Sequence, residues 1–143
     1  MPASTENKIL IVDDDPVIRL MLQDFFEKKN YCIAQAEHGL ESITAFQAFK
    51  PNCILMDIKM PIMSGLEACS KIRSLPDGAT VPIVMMTVMN DDKTVDSCYR
   101  AGASDYICKP IHWAMLRNRV CTIFERILVE SKLKKSELQY RTG

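Results

Sequence analysis

Apolar residues gather along this chain in short runs, and stripes of helical spacing separate the runs. Lys8 to Val12 (KILIV), Tyr31 to Ala36 (YCIAQA), Cys53 to Asp57 (CILMD), Pro82 to Thr87 (PIVMMT) and Asp105 to Cys108 (DYIC) are each four to six residues long. Apolar runs of that length, bounded by turn residues, are too short for free-standing helices and predict strands buried on both faces. Between them the spacing changes to three or four. Val17, Leu20, Met21 and Phe25 predict a helix reaching about Lys29, with Pro16 in its first turn and an acidic residue before it as cap. Gly39 to Phe49 predicts a second helix, stopped by Lys50-Pro51. Leu66, Cys69 and Ile72 mark a short third, and Pro76-Asp77-Gly78 a loop. Asp91 to Ala101 is a fourth, with Gly102 at its C-terminal cap. A last helix starts near His112. Five alternations of strand and helix with short connections predict a parallel sheet covered on both faces, with right-handed crossovers.

The polar residues that end these strands carry the chemistry. Asp13 and Asp14 follow the first strand, Asp57 ends the third, Thr87 the fourth, and Lys109 follows the fifth. All five fall on the carboxyl edge of the sheet, where ligands of such folds bind at the reversal of strand order. Taken singly they are ordinary residues. Asp15 reads as a helix cap, Tyr106 as a strand aromatic, and Lys109 as a strand-end lysine reaching for water. It is their coincidence at one edge that indicates a site.

Composition narrows the picture. A chain of 143 residues suits one domain that buries roughly 70% of its unfolded surface. Eighteen Lys and Arg balance eighteen Asp and Glu, which gives no support to a general nucleic-acid or membrane-surface role. MPASTENK is polar and lacks the apolar core of a signal peptide, and the stretch from Val81 to Met89 is far too short to span a bilayer. The expectation is a cytoplasmic protein with a disordered 1–7, a domain over 8–129, and a helical extension or linker over 130–143. The six cysteines form no Cys-x-x-Cys pair and are expected to be free, mostly buried thiols of a reducing compartment. His38 and His112 are isolated and expected at the surface or in caps.

The constellation resembles the receiver domain of two-component response regulators. The residues that carry the resemblance are the acidic pair Asp13-Asp14, the loop Asp57-x-x-Met60-Pro61-x-x-x-Gly65, Thr87, Tyr106 and Lys109-Pro110. The match covers roughly Lys8 to Val129. It implies a flavodoxin-like five-stranded parallel sheet in the order 2-1-3-4-5, here with an extended C-terminal helix. It also implies that Asp57 accepts a phosphoryl group from a histidine kinase or phosphotransfer protein. By resemblance, Mg2+ is held by Asp14, Asp57 and the main-chain carbonyl of Lys59, with Asp13 acting through water. Physically, a hard divalent cation relieves the repulsion of three neighbouring carboxylates. Lys109 would neutralise the transferring group and Thr87 would bond one of its oxygens, letting Tyr106 swing inward. The fourth helix, fifth strand and fifth helix would form the output face, and the Lys109-Pro110 bond would be cis.

Two positions depart from the family's habit. Val88 stands where a small residue is usual, and Met89 is bulky and apolar where the family tunes hydrolysis, as it also does at Lys59; slow loss of phosphate is expected. The segment Lys109 to Arg119 is similar to the junction in receivers that precede a diguanylate cyclase, with the last helix then pairing two subunits. Leu116, Val120, Ile123, Ile127 and Leu128 keep a helical stripe there, but the charged stretch from Glu130 to Arg141 lacks clean heptads. Two other functions compete. Ile11 to Val17 also fits the first motif of haloacid dehalogenase-type phosphatases, with Asp13 as nucleophile and Asp15 as acid/base. Alternatively, the receiver serves only as an unphosphorylated docking module.

Overall fold

The computed structural model of the protein describes residues 7–89 and 91–142, with side chains as far as residue 136. Strand and helix alternate as β1 (Lys8–Val12), α1 (Pro16–Glu27), β2 (Cys32–Ala36), α2 (Gly39–Phe49), β3 (Cys53–Asp57), α3 (Gly65–Arg73), β4 (Ile83–Thr87), α4 (Asp92–Arg100), β5 (Asp105–Cys108) and α5 (Trp113–Thr142). The strands form one parallel sheet in the order β2-β1-β3-β4-β5, as the sequence leads one to expect. The chain divides into two units, one ending at Ile111 and the other, built on α5, beginning at His112. Among the described residues no helix is long and apolar enough to cross a membrane.

Strand burial varies with position in the sheet. β3 and β4 are buried at every residue and β1 at all but Lys8. β2 and β5 are the edges, where only Ala36 and Ile107 are buried. The fifth strand is therefore not the fully buried element its apolar run suggests, because it lacks a neighbour on one side. Side chains alternate across a strand. Leu10, Val12, Ile54, Met56, Ile83 and Met85 join Phe46, Ala68, Cys69, Ile72 and Cys98 from α2, α3 and α4 in one core. The alternate residues Ile9, Ile11, Leu55, Val84 and Met86, also fully buried, turn to the other face. There α1 lies against β1 and β2 and buries Leu22 and Phe26. Each large side chain so buried contributes about 1.5–3 kcal/mol.

The ends of the helices explain small shifts from the expected boundaries. Asp15 caps α1 by accepting from the Val17 N–H at 2.9 Å. At the other end Asn30, with φ of 70°, closes the helix: the Asn30 N–H donates to Glu27 and the Tyr31 N–H to Phe26. This is the double bond of a left-handed C-terminal cap. Tyr31 thus belongs to the cap, and β2 begins one residue later than its apolar run. Gly102, at φ 103°, ends α4 in the same way. His38 caps α2 and His112 accepts from the Met115 N–H, so both histidines are local caps. Asn7 carries the ladder beyond β1 by accepting from the Cys32 N–H at 2.8 Å; the rest of the stretch expected to be disordered lies outside the described residues. All six cysteines are free. Cys53, Cys69 and Cys98 are buried but Cys32 and Cys121 are exposed, so only half fit the expectation of burial.

The turn from β3 into α3 is tightly drawn. Gly65 opens α3 so close to β3 that a Cβ there would lie 2.0 Å from the Asp57 carbonyl oxygen. Only glycine allows that approach. Just before it, Ile62 stands exposed with φ of 71°, a region in which a β-branched residue is strained. At the opposite edge of the sheet, Arg73 at the end of α3 donates to the carbonyls of Gly102, Gly78 and Val81 at 2.8, 2.8 and 2.6 Å. One guanidinium thereby ties together α3 and the two loops that lead into β4 and β5.

Candidate functional site

The register of the sheet brings the chemistry together. Val12 pairs with Met56 and Asp57 with Met86, so Asp13 follows β1 directly beside Asp57. Thr87 pairs with Cys108, which puts Lys109 one residue past Thr87, and the Lys109 N–H donates to the Thr87 carbonyl at 2.7 Å. Residues far apart along the chain meet because parallel strands lie only about 4.8 Å apart. Asp13, Asp14 and Asp57 each place a carboxylate oxygen within 4.8 Å of the others. Lys109 reaches into this group, its Nζ 2.8 Å from Asp13 Oδ2 and 3.4 Å from Asp57 Oδ1.

The three carboxylates are not equivalent. Asp13 is fully buried, and both its oxygens are engaged: Oδ2 by Lys109, Oδ1 by the Asp15 N–H at 2.9 Å. Asp14 is exposed and Asp57 buried. Burial, and next the charge of Asp13, push the Asp57 carboxyl up from 3.8 to about 6; Lys109 pulls it back in part, and Asp14 adds a smaller push. Burial would lower the Lys109 ammonium, but its hydrogen bond to Asp13 and the charges of Asp57 and Asp13 outweigh that and raise it. One cation thus serves three anions and leaves the group short of positive charge.

This donor set fits Mg2+. It offers oxygens only, from three carboxylates, with one exposed side left for the waters that this ion retains. Lys59 lies exposed on the turn two residues past Asp57. The Thr87 hydroxyl is buried at the rim of the site and accepts from the Met89 N–H at 3.0 Å. Tyr106 is half-buried and meets Tyr99 of α4 edge to face, with ring centres 6.3 Å apart. The Lys109-Pro110 bond is cis.

The geometry lends the phosphatase reading little support. Asp13 is fully buried with a hydrogen bond on each carboxylate oxygen, and the Asp15 carboxylate caps α1. One residue near the site gives no sign of itself in the sequence. Arg19, early in α1, donates from Nη1 to the Asp13 carbonyl at 2.6 Å. No spacing or run marks it; a single arginine in a helix carries no signal until its partner strand is known.

With this geometry in view, the likenesses to other proteins are specific. Residues 9–121 match the family described as the response regulator receiver domain. Over 110 residues the chain is 37% identical to the transcriptional regulatory protein ResD of Bacillus subtilis, covering 77% of this chain and 45% of that protein. A two-component response regulator from Clostridium difficile superposes with a TM-score of 0.79 at 32% identity, over 85% of this chain and 98% of that one. The receiver domain of the sensor histidine kinase PA1611 from Pseudomonas aeruginosa, with a magnesium ion coordinated in its active-site cleft, gives 0.77 at 26% identity, over 83% and 98%. The chain spans about half the length of the transcriptional regulators it matches.

Proposed function

Because the chain belongs to the response regulator receiver-domain family, we propose that Asp57 is its phosphoacceptor and that a histidine kinase or phosphotransfer protein supplies the phosphoryl group. The observation that carries this reading is the placement of Lys109 Nζ between Asp13 and Asp57, with Asp14 completing the acidic group. An ionised oxygen of Asp57 attacks phosphorus. The phosphorus–oxygen bond forms as the phosphorus–nitrogen bond to the donor imidazole breaks, and the imidazole leaves with the electron pair. Asp14, Asp57 and the Lys59 carbonyl would hold Mg2+, with Asp13 acting through water, and the bound ion would supply positive charge to the transferring oxygens. The engagement of Asp13 by Lys109 and by a main-chain N–H supports an indirect role for it.

Lys109 then stays with the product, where its ammonium faces the new phosphoryl oxygens. The Thr87 hydroxyl accepts one bond from the Met89 N–H and keeps its own proton to donate to a phosphoryl oxygen. Drawing Thr87 inward shifts the loop before α4 and opens space toward which Tyr106 turns. The face bearing α4 and β5 reports the change to an output domain or partner. A diguanylate cyclase output, suggested by Lys109 to Arg119, draws no support from ResD, which is named a transcriptional regulator.

Acetyl phosphate with Mg2+ should label the wild-type protein, and borohydride trapping with peptide mapping should place the label on Asp57. Asp57→Asn should abolish it. Label on Asp13 would restore the phosphatase reading, and an unlabelled wild-type protein would leave a docking module. Sedimentation with and without beryllofluoride tests whether the activated form pairs with a second copy.

A further inference from the structure

We infer that Arg19 is a positioning residue for the divalent cation, acting through the peptide between Asp13 and Asp14; this rests on the receiver reading of the site. The Asp13 carbonyl takes Arg19 Nη1 at 2.6 Å. The same guanidinium is held from its other edge, where Nε donates to Gln35 Oε1 of β2 at 3.0 Å. Gln35 in turn donates through Nε2 to Gln23 Oε1 on α1, and Gln23 to Glu27 at 3.1 Å. The arginine is therefore braced by a chain of amides that spans β2 and α1.

The effect on the site comes from the planarity of the peptide. The Asp13 N–H is already fixed by the Ala36 carbonyl at 3.2 Å. Arg19 fixes the carbonyl of the same residue. With one peptide plane pinned at its oxygen, the position of the Asp14 Cα is set, because the six atoms of the unit move together. Asp14 is exposed, so its carboxylate is aimed by its backbone and not by surrounding packing. Arg19 thus places a carboxylate it does not touch.

Charge and geometry predict opposite signs, which makes the inference testable. Removing the positive charge held at the Asp13 carbonyl should by charge alone attract Mg2+ more strongly. Removing a brace should weaken binding, and loss of such supporting contacts commonly costs about 10-fold or more in metal affinity. Lysine keeps the charge but not the planar fork that serves Asp13 and Gln35 at once. Mg2+ binding is measured by titration calorimetry on wild type, Arg19→Ala, Arg19→Lys and Gln35→Ala, each checked by thermal melting.

The expected result is about a 10-fold rise in the Mg2+ dissociation constant for Arg19→Ala, a rise in the same direction for Arg19→Lys, and a smaller one for Gln35→Ala. Acetyl-phosphate labelling should recover its wild-type rate at saturating Mg2+, since chemistry at Asp57 is not altered. Tighter binding in Arg19→Ala, or a dissociation constant unchanged in both Arg19→Lys and Gln35→Ala, overturns the inference. Should Arg19→Ala fail to fold, the other two variants decide. A wild-type protein that binds no Mg2+ overturns both this inference and the receiver reading, whereas intact binding with unaffected variants overturns the brace alone.

Discussion

Asp57→Asn should make the protein more stable at neutral pH in the absence of divalent cations. In the folded chain Asp57 holds its proton more tightly than in the unfolded chain, its pKa standing near 6 against 3.8, chiefly through burial and the Asp13 charge. A carboxyl raised in this way contributes most to stability below the unfolded value, and that contribution is lost as pH climbs through the folded value. The window is therefore pH 3.8 to about 6. At ~1.36 kcal/mol per pH unit, the ionised carboxylate costs the fold about 3 kcal/mol at pH 7. Asparagine carries no charge and should recover about 2–3 kcal/mol of it, since it keeps the shape but loses the weaker of the two Lys109 contacts. Urea unfolding in EDTA, monitored by circular dichroism at pH 7.5 and at pH 4, measures the difference. The gain should be present at pH 7.5 and nearly gone at pH 4. A variant no more stable than wild type at pH 7.5, or equally favoured at both pH values, refutes the reasoning.

Other outcomes turn on single contacts. Ile62→Gly should raise stability by about 0.5–1 kcal/mol, the left-handed strain relieved less the entropy glycine adds to the unfolded chain; a lowered melting temperature would show that Ile62 is unstrained. Arg73→Ala removes a guanidinium bonded to three carbonyls and should cost about 2–4 kcal/mol in urea unfolding while leaving Mg2+ affinity unchanged. A loss under about 1 kcal/mol would mean that water replaces those bonds without penalty. Met89→Ala should speed the decay of labelled protein several-fold by opening the path of the attacking water, and an unchanged half-life would remove that explanation for slow hydrolysis.

Most of this architecture can be read from the chain alone, for a physical reason. Strands buried on both faces must be apolar throughout, so β1, β3 and β4 stand out as runs, and whatever ends them is polar by necessity and functional by placement. Asp13, Asp57, Thr87 and Lys109 are legible in that sense. The edge strands are less so, because β2 and β5 are only partly buried and their runs are weaker signals. What stays hidden are contacts made by polar side chains at a distance. Arg19 and Gln35 look like ordinary surface residues until the register of β1 and β2 places them together. Arg73 resembles any helix-end arginine until three carbonyls converge on it. Ile62 gives no sign of its backbone conformation, since β-branched residues seldom adopt it and the turn is marked only by its neighbours Pro61 and Gly65.

The central place of β3 has a consequence for how the molecule comes apart. It lies between β1 and β4, so fraying that begins at β2 or β5 must dissolve a neighbouring strand before it reaches Asp57. Amide protons of residues 54–56 should consequently exchange with solvent only through global opening, at the slowest rate in the sheet. Evolution can then loosen the outer strands for signalling without blurring where Asp57 stands.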